Sequence, residues 1–308
     1  MGRPALMRSV VEAVGQTPLL RLHKIERDTP NVKLYLKLEY TNPGGSVKDR
    51  PALQMMKDAI ADGRLTKDKV LIDATSGNTG VAYSIFGAAL GYRIALVMPN
   101  NVSQARKNIT TAYGTELIFS DPMEGSDGAI RLCRRLVDEN PNKYFYSDQY
   151  RNPSNPLAHY LGTAGEILEQ VGSEITHFVT GLGTSGTCMG VTRRLHEHPR
   201  KIICVAAQPA EALHGLEGLK HMGSSIVPEI YNETLPDEHM LVQTEDGWDM
   251  ADRLAREEGL HVGHSTGANV SAAAAIAKRI ERGCVVTIAC DRGDRYFAPM
   301  RWEKHYEW

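Results

Sequence analysis

The chain of 308 residues is 42% hydrophobic and 23% charged, an ordinary globular composition long enough for two lobes and a buried cofactor. Its net charge of -2 gives no electrostatic reason to expect nucleic acid or an anionic membrane as partner. Cys133, Cys188, Cys204, Cys284 and Cys290 form no Cys-x-x-Cys pair, and no apolar run approaches membrane-spanning length, so the expectation is a soluble, cytoplasmic protein with reduced thiols and no metal site.

In chain order, Val10 to Val14 reads as the end of a short helix closed by Gly15, and Gln16-Thr17-Pro18 turns into the apolar segment Leu19 to Leu22. Alternation predicts a strand over Val32 to Leu38, followed by a loop and then a helix to about Asp62 on which Leu53, Met56, Ala59 and Ile60 share a face. Strands are then expected at Val70–Asp73, Arg93–Met98, Glu116–Phe119 and Tyr144–Tyr146, with helices at Thr79–Leu90, Ser103–Tyr113 and Gly128–Asp138 between them. A helix over Leu157–Gln170, a strand His177–Thr180, a helix Thr187–Leu195 and a strand Ile202–Ala206 follow. Beyond a Gly-rich irregular segment from Ala210 to Pro236, helices are expected at Trp248–Glu257 and Ala268–Ile280, and a last strand at Val285–Ala289. Strands separated by helices of this length imply an α/β fold with parallel pairing and right-handed crossovers. The turn-rich stretch Gln149 to Pro156 is the best place for a division between lobes.

Four turns carry candidate chemistry. Thr41-Asn42-Pro43-Gly44-Gly45-Ser46-Val47-Lys48-Asp49-Arg50 places Lys48 where loop becomes helix, with Ser46 and Asp49 set as a capping-box-like pair. The helix dipole and partial burial both disfavour the charged amine, as imine chemistry requires. Thr75-Ser76-Gly77-Asn78-Thr79 follows a strand and opens a helix, a place where α/β sheets bind ligands. Its hydroxyls and amides suit a carboxylate, and Asn78 offers an amide to a phenolic oxygen. Gly183-Thr184-Ser185-Gly186-Thr187, after the strand His177–Thr180, reads as a phosphate cradle. Gly181, Gly183 and Gly186 also fit a dinucleotide fingerprint, and thus an NAD-dependent oxidoreductase, but the following strand ends in Gln208-Pro209 without the expected acid. Ser265, in Gly263-His264-Ser265-Thr266-Gly267-Ala268, sits at a fourth turn into a helix; alone it reads as a cap. His196-Glu197-His198 reads as a solvated helix end, since positions two apart do not share a face.

Together these motifs resemble the cysteine synthases (O-acetylserine sulfhydrylases) among the fold-type II pyridoxal-phosphate enzymes, from Gly15-Gln16-Thr17-Pro18-Leu19 to Cys290-Asp291-Arg292-Gly293-Asp294-Arg295-Tyr296, the latter similar to the isoform B branch. The resemblance implies two lobes, each a mostly parallel twisted sheet flanked by helices: a smaller mobile lobe over 36–147 and a larger cofactor-anchoring lobe over 1–35 and 148–308. It further implies that Lys48 holds the cofactor covalently, Asn78 its phenolic oxygen, Gly183, Thr184, Ser185, Gly186 and Thr187 its phosphate, and Ser265 its pyridine nitrogen. Thr75, Ser76, Thr79 and Gln149 would take the substrate carboxylate. Lys220 aligns where some isoform B relatives carry an arginine that favours O-phosphoserine over O-acetylserine. The implied reaction is β-replacement on such an activated L-serine by sulfide or thiosulfate, giving L-cysteine or S-sulfocysteine. A serine or threonine dehydratase is the neighbouring alternative. A homodimer is expected, and binding to a serine acetyltransferase stays open. The chain departs from the branch at Phe297-Ala298-Pro299 and in its tail from Trp302 to Trp308, and His264 replaces an aliphatic residue, expected to pack as a core histidine or else to add a titrating group near the cofactor ring.

Overall fold

A computed structural model describes residues 6–296. Phe297-Ala298-Pro299 and the tail lie outside the described residues.

Two sheets organise the chain. Strands β1 (Leu19–Arg21), β2 (Val32–Leu38), β7 (His177–Gly181), β8 (Ile203–Pro209), β9 (Glu238–Val242) and β10 (Gly283–Ala289) form a six-stranded sheet in the order β1-β2-β10-β7-β8-β9. All its neighbours run parallel except β1, which pairs antiparallel with β2 at the edge. Strands β3 (Val70–Ala74), β4 (Arg93–Pro99), β5 (Glu116–Ser120) and β6 (Tyr144–Tyr146) form a wholly parallel sheet in the order β5-β4-β3-β6. Every residue of β3 is buried, because a parallel strand covered by helices on both faces is apolar along its length rather than alternating. The expected α/β architecture with mostly parallel sheets is therefore what the chain adopts.

Helices α1 (Asp49–Ala61), α2 (Asn78–Leu90), α3 (Gln104–Thr111) and α4 (Gly125–Glu139) flank or connect the four-stranded sheet. The helix expected over Leu157–Gln170 is instead three pieces: α5 (Ser154–Ala158), a π-helical turn over His159–Thr163, and α6 (Ala164–Val171). Helices α7 (Gly186–His196), α8 (Thr244–Arg253) and α9 (His264–Arg279) belong to the six-stranded half, and a second π-helical turn, Leu254–Glu258, continues α8. Strand β9 was not expected: it is short, alternates in burial, and its Glu238 pairs with Arg279 as a charged edge residue.

The loop bearing Lys48 is anchored by a buried charge cluster. Arg50, on the first turn of α1, donates through Nε and Nη2 to both oxygens of Glu39 at 2.7 and 2.8 Å, and through Nη1 and Nη2 to both oxygens of Glu166 on α6 at 2.6 and 2.7 Å. Lys37, fully buried at the end of β2, donates to Glu166 at 2.8 Å and to the Thr17 carbonyl at 2.6 Å. Burial alone would raise the carboxyl of Glu39, but the Arg50 charge and hydrogen bonds overcome it and hold the group below its ordinary value. Glu166, opposed by burial in the same way, is brought down to about 2 by Arg50 and Lys37. Each carboxylate thus meets enough donors to offset its desolvation.

Candidate active site

The parallel strands of both sheets direct their carboxyl ends at one cavity of about 880 Å³, within the usual range for a small-molecule site. Lys48, Thr75, Ser76, Gly77, Asn78, Thr79, Gln149, Gly183, Thr184 and Lys220 all line it. Three of the four turns identified in the sequence thus contribute to one place, while Ser185, Gly186 and Thr187 of the third turn, and Ser265 with the whole fourth turn, are not among its lining residues.

Lys48 is half-buried at the amino end of α1. The expected pairing of Ser46 and Asp49 as a helix cap is not formed. Lys48 itself is the cap residue, without a side-chain cap bond, and the Ser46 hydroxyl oxygen accepts the Lys48 amide at 3.2 Å. Asp49 turns back to the Gly44 amide and receives the Ser46 hydroxyl at 3.5 Å, because a fully buried carboxyl needs donors wherever they stand. Burial pushes Asp49 up to about 7, against the Gly44 hydrogen bond and the Arg295 charge. The loop is also tied to the segment after β10: the Val47 amide donates to the Cys290 carbonyl at 2.7 Å and Ser46 pairs with Asp291.

At the carboxyl end of β3, Thr75 accepts the Gly77 amide at 3.3 Å, and Thr79 donates to Gln149 Oε1 at 2.8 Å. Gln149 is 4% exposed and follows Asp148, whose φ of +44° turns the chain after β6 back into the cavity. Asn78 is held on both sides: its amide donates to Asp291 Oδ2 at 2.5 Å and its oxygen accepts from Arg295. Arg295 also reaches the Gly44 carbonyl, and Tyr296 donates to Asp291. Asp291 is buried and raised by desolvation, against the Tyr296 and Asn78 hydrogen bonds, and its Oδ1 has no partner among the described residues.

The turn between β7 and α7 fits a phosphate group. Ser185 adopts φ +70°, a conformation uncommon for a residue with a side chain, and its buried Oγ has no hydrogen-bond partner among the described residues. Glycine is required beside it: a Cβ on Gly186 would stand 1.9 Å from Asn155 Oδ1, and one on Gly183 would stand 2.5 Å from the Gly218 carbonyl. An unused hydroxyl at a helix start, in a turn where only glycine allows such close approach, matches the chemistry of an anion that accepts hydrogen bonds. Ser265 lies 3% exposed on the first turn of α9, where Gly263 is the cap residue, and its hydroxyl contacts the Cys290 thiol. The structure therefore does not use Ser265 as the helix cap.

Lys220 is half-buried with Nζ 5.1 Å from the centre of the Tyr150 ring, and burial lowers its pKa against the pull of Asp127. His264 is half-buried between the Trp248 and Tyr296 rings, at 5.6 and 5.9 Å, rather than packed in the core. His196 Nε2 donates to the Asp237 carboxylate at 3.0 Å, and His196 and Glu197 are exposed, as the reading of a solvated helix end expected. Cys204 brings a third ligand atom within 4.8 Å of that pair, and burial pushes its thiol up to about 12. The cysteines among the described residues are all free.

Sequence reasoning gave no role to Asn155, Arg106, Glu217, Asp291, Arg295 or Tyr296. Arg106 on α3 and Glu217 before Gly218 form an ion pair at the cavity rim, and Asn155 donates to the Gln149 carbonyl at 2.8 Å and to the Thr184 hydroxyl at 3.2 Å. Arg106 and Asn155 lie on helices, and only the position of Asp291, Arg295 and Tyr296 just beyond β10 hinted at the site.

Comparison with known proteins agrees with this geometry. Residues 10–291 match the family model described as pyridoxal-phosphate dependent enzyme. A cysteine synthase of Aquifex aeolicus is 48% identical over 94% of this chain and 90% of its own. Cysteine synthase B of Escherichia coli is 40% identical over 95% of each chain. The crystal structure of a cysteine synthase from Entamoeba histolytica superposes with a TM-score of 0.93 at 35% identity, covering 100% of this chain and 94% of that one.

Proposed function

The chain belongs to the cysteine synthases among the pyridoxal-phosphate-dependent enzymes, and from that premise we propose that it exchanges the β-substituent of O-acetylserine, and of O-phosphoserine as a second donor, for sulfide or thiosulfate. The observation that carries the proposal is the meeting, at one cavity, of Lys48 with the cradle whose Ser185 hydroxyl is unused.

Pyridoxal phosphate, when bound, supplies an electron sink that lets a Cα proton leave and a β-substituent be exchanged. Lys48 would hold it covalently through Nζ, Gly183 to Thr187 would hold its phosphate, Asn78 its phenolic oxygen, and Ser265 its ring nitrogen. A hydroxyl at that nitrogen does not enforce protonation as a carboxylate would, which suits β-replacement better than transamination. Once released, Nζ of Lys48 takes the Cα proton of the substrate and later returns it to the same carbon. Thr75, Ser76, Thr79 and Gln149 orient the substrate carboxylate, and Lys220 attracts an anionic β-substituent. With O-acetylserine and sulfide the products are L-cysteine and acetate.

The division into a mobile lobe over 36–147 and an anchoring lobe formed by the rest belongs to the proposal, supported by the four-stranded sheet lying within 70–146. So do the homodimer and the cytoplasmic location, which rest on the family; among the described residues no helix is long and apolar enough to cross a membrane. A screen of purified protein with both amino donors, each with sulfide, thiosulfate or no sulfur donor, tests the reading. Cysteine or S-sulfocysteine formation supports it, whereas pyruvate as the main product with sulfide present would show β-elimination without replacement, the dehydratase-like alternative.

A further inference from the structure

His159 opens the π-helical turn between α5 and α6, is 1% exposed, and has both ring nitrogens engaged. Nδ1 lies 2.9 Å from Oγ1 of Thr163, and Nε2 lies 3.3 Å from Oγ1 of Thr187, the last residue of the cradle. Burial depresses the ring to about 3, with Arg50 and Lys48 acting in the same direction and Glu39 opposing, so the imidazole is neutral and carries one proton.

The hydroxyls decide which nitrogen carries that proton. Thr163 is fully buried, and among the described residues the only hydrogen-bond partner of its Oγ1 is His159 Nδ1. In a regular helix a threonine hydroxyl donates to the carbonyl four residues back. Here no such bond is formed among the described residues, and the His159 carbonyl receives the Ala164 amide through the π-helical turn. A buried hydroxyl proton left without an acceptor is disfavoured, so Thr163 donates to Nδ1 and the ring proton sits on Nε2. Nε2–H then donates to the Thr187 oxygen, and a hydroxyl whose oxygen is engaged as acceptor turns its hydrogen outward.

We propose that His159 is a positioning residue for the cofactor phosphate, holding the Thr187 hydroxyl so that it donates to a phosphate oxygen. This rests on the assignment of Gly183 to Thr187 to that phosphate. Phosphate oxygens accept and do not donate, so the opposite tautomer would draw the Thr187 hydrogen toward the ring and turn lone pairs to the anion. The buried Thr163–His159 pair within the π-helical turn therefore bears on cofactor binding.

The test uses protein stripped of cofactor and titrated with pyridoxal phosphate, with Kd and the ³¹P resonance of the bound phosphate as readouts. Thr187→Ala is expected to weaken binding about tenfold, as loss of one charge-assisted hydrogen bond implies. His159→Asn, which keeps an N–H only near the Nδ1 position, is expected to weaken it similarly and shift the ³¹P resonance. His159→Gln, which keeps one near Nε2, should retain most of the affinity. Combining His159→Asn with Thr187→Ala should weaken binding no further than Thr187→Ala alone; additive losses would overturn the proposal. An unchanged Kd in Thr187→Ala would instead remove Thr187 from the phosphate site, and the proposal with it. If the His159 variants fail to fold, long-range ¹⁵N–¹H correlation on the wild-type holoenzyme decides: an Nε2–H tautomer supports the proposal and an Nδ1–H tautomer overturns it.

Discussion

Thr79, on the first turn of α2, donates its hydroxyl to Gln149 Oε1 at 2.8 Å, joining the end of β3 to the segment after β6 across one wall of the cavity. With Oε1 engaged by Thr79, the Gln149 N–H₂ is left as the donor available to a substrate carboxylate. Gln149→Ala should therefore raise KM for the amino acid about tenfold or more, with cofactor content unchanged. Steady-state kinetics together with a cofactor assay on the same preparation checks this; loss of cofactor without a change in KM would show that Gln149 serves the cofactor instead.

Lys48→Ala should abolish turnover and the covalent link while the cradle retains some cofactor. The purified wild type is expected to be yellow and, after borohydride reduction, to carry the cofactor mass on the peptide containing Lys48. The variant should carry none, and its residual colour should be lost on dialysis faster than that of the wild type. A colourless wild type that stays inactive when cofactor is added back would defeat the assignment of Lys48.

The charge cluster behind Lys48 predicts a pH dependence. Glu166 has a folded value of about 2 against an ordinary 4.5, so its stabilising contribution is present above pH 4.5 and is lost as pH falls toward about 2. Asp49 and Asp73, raised to about 7 by burial, act with the opposite sign and weaken the fold as pH rises from about 4 to 7. The difference between wild type and Glu166→Gln isolates the first effect. Urea midpoints of the two should separate most at neutral pH and converge between pH 4.5 and about 2. Arg50→Met should cost about 3 to 5 kcal/mol, because it leaves buried Glu39 and Glu166 without their main partner.

Lys220 should distinguish the two donors. Lys220→Ala is expected to lower kcat/KM for O-phosphoserine more than for O-acetylserine, with a differential of about 1 to 3 kcal/mol. Because burial lowers its pKa, its advantage toward the phosphate should fade at a lower pH than a solvated lysine would give. A lysine offers a point charge without the fork of an arginine, so O-acetylserine should remain a good donor. Equal effects on both donors would place Lys220 outside substrate recognition.

Much of the site was legible because it is built from local turns. Each of Lys48, Thr75 to Thr79, Gly183 to Thr187 and Ser265 stands between a recognisable strand or loop and a recognisable helix, and glycines and hydroxyls at helix starts have a meaning that needs no distant neighbour. Strand β9 escaped because an edge strand with Glu238 and His239 carries little apolar signal. The break at His159–Thr163 escaped because a π-helical turn adds one residue without disturbing the apolar periodicity enough to be read.

The sequence by itself determined the order of most strands and helices, the mostly parallel character of the sheets and the four turns that carry the candidate chemistry, since these follow from periodicity and from residue types a few positions apart. Only the tertiary structure decided that Arg50 meets Glu166, 116 residues away, that Asn78 is held by Asp291, 213 residues away, and that His159 touches Thr187. Those pairings depend on the order in which strands lie side by side in each sheet, which no local pattern encodes. A hydrogen bond between remote residues exists only where that order brings their loops to the same strand ends and buries them together.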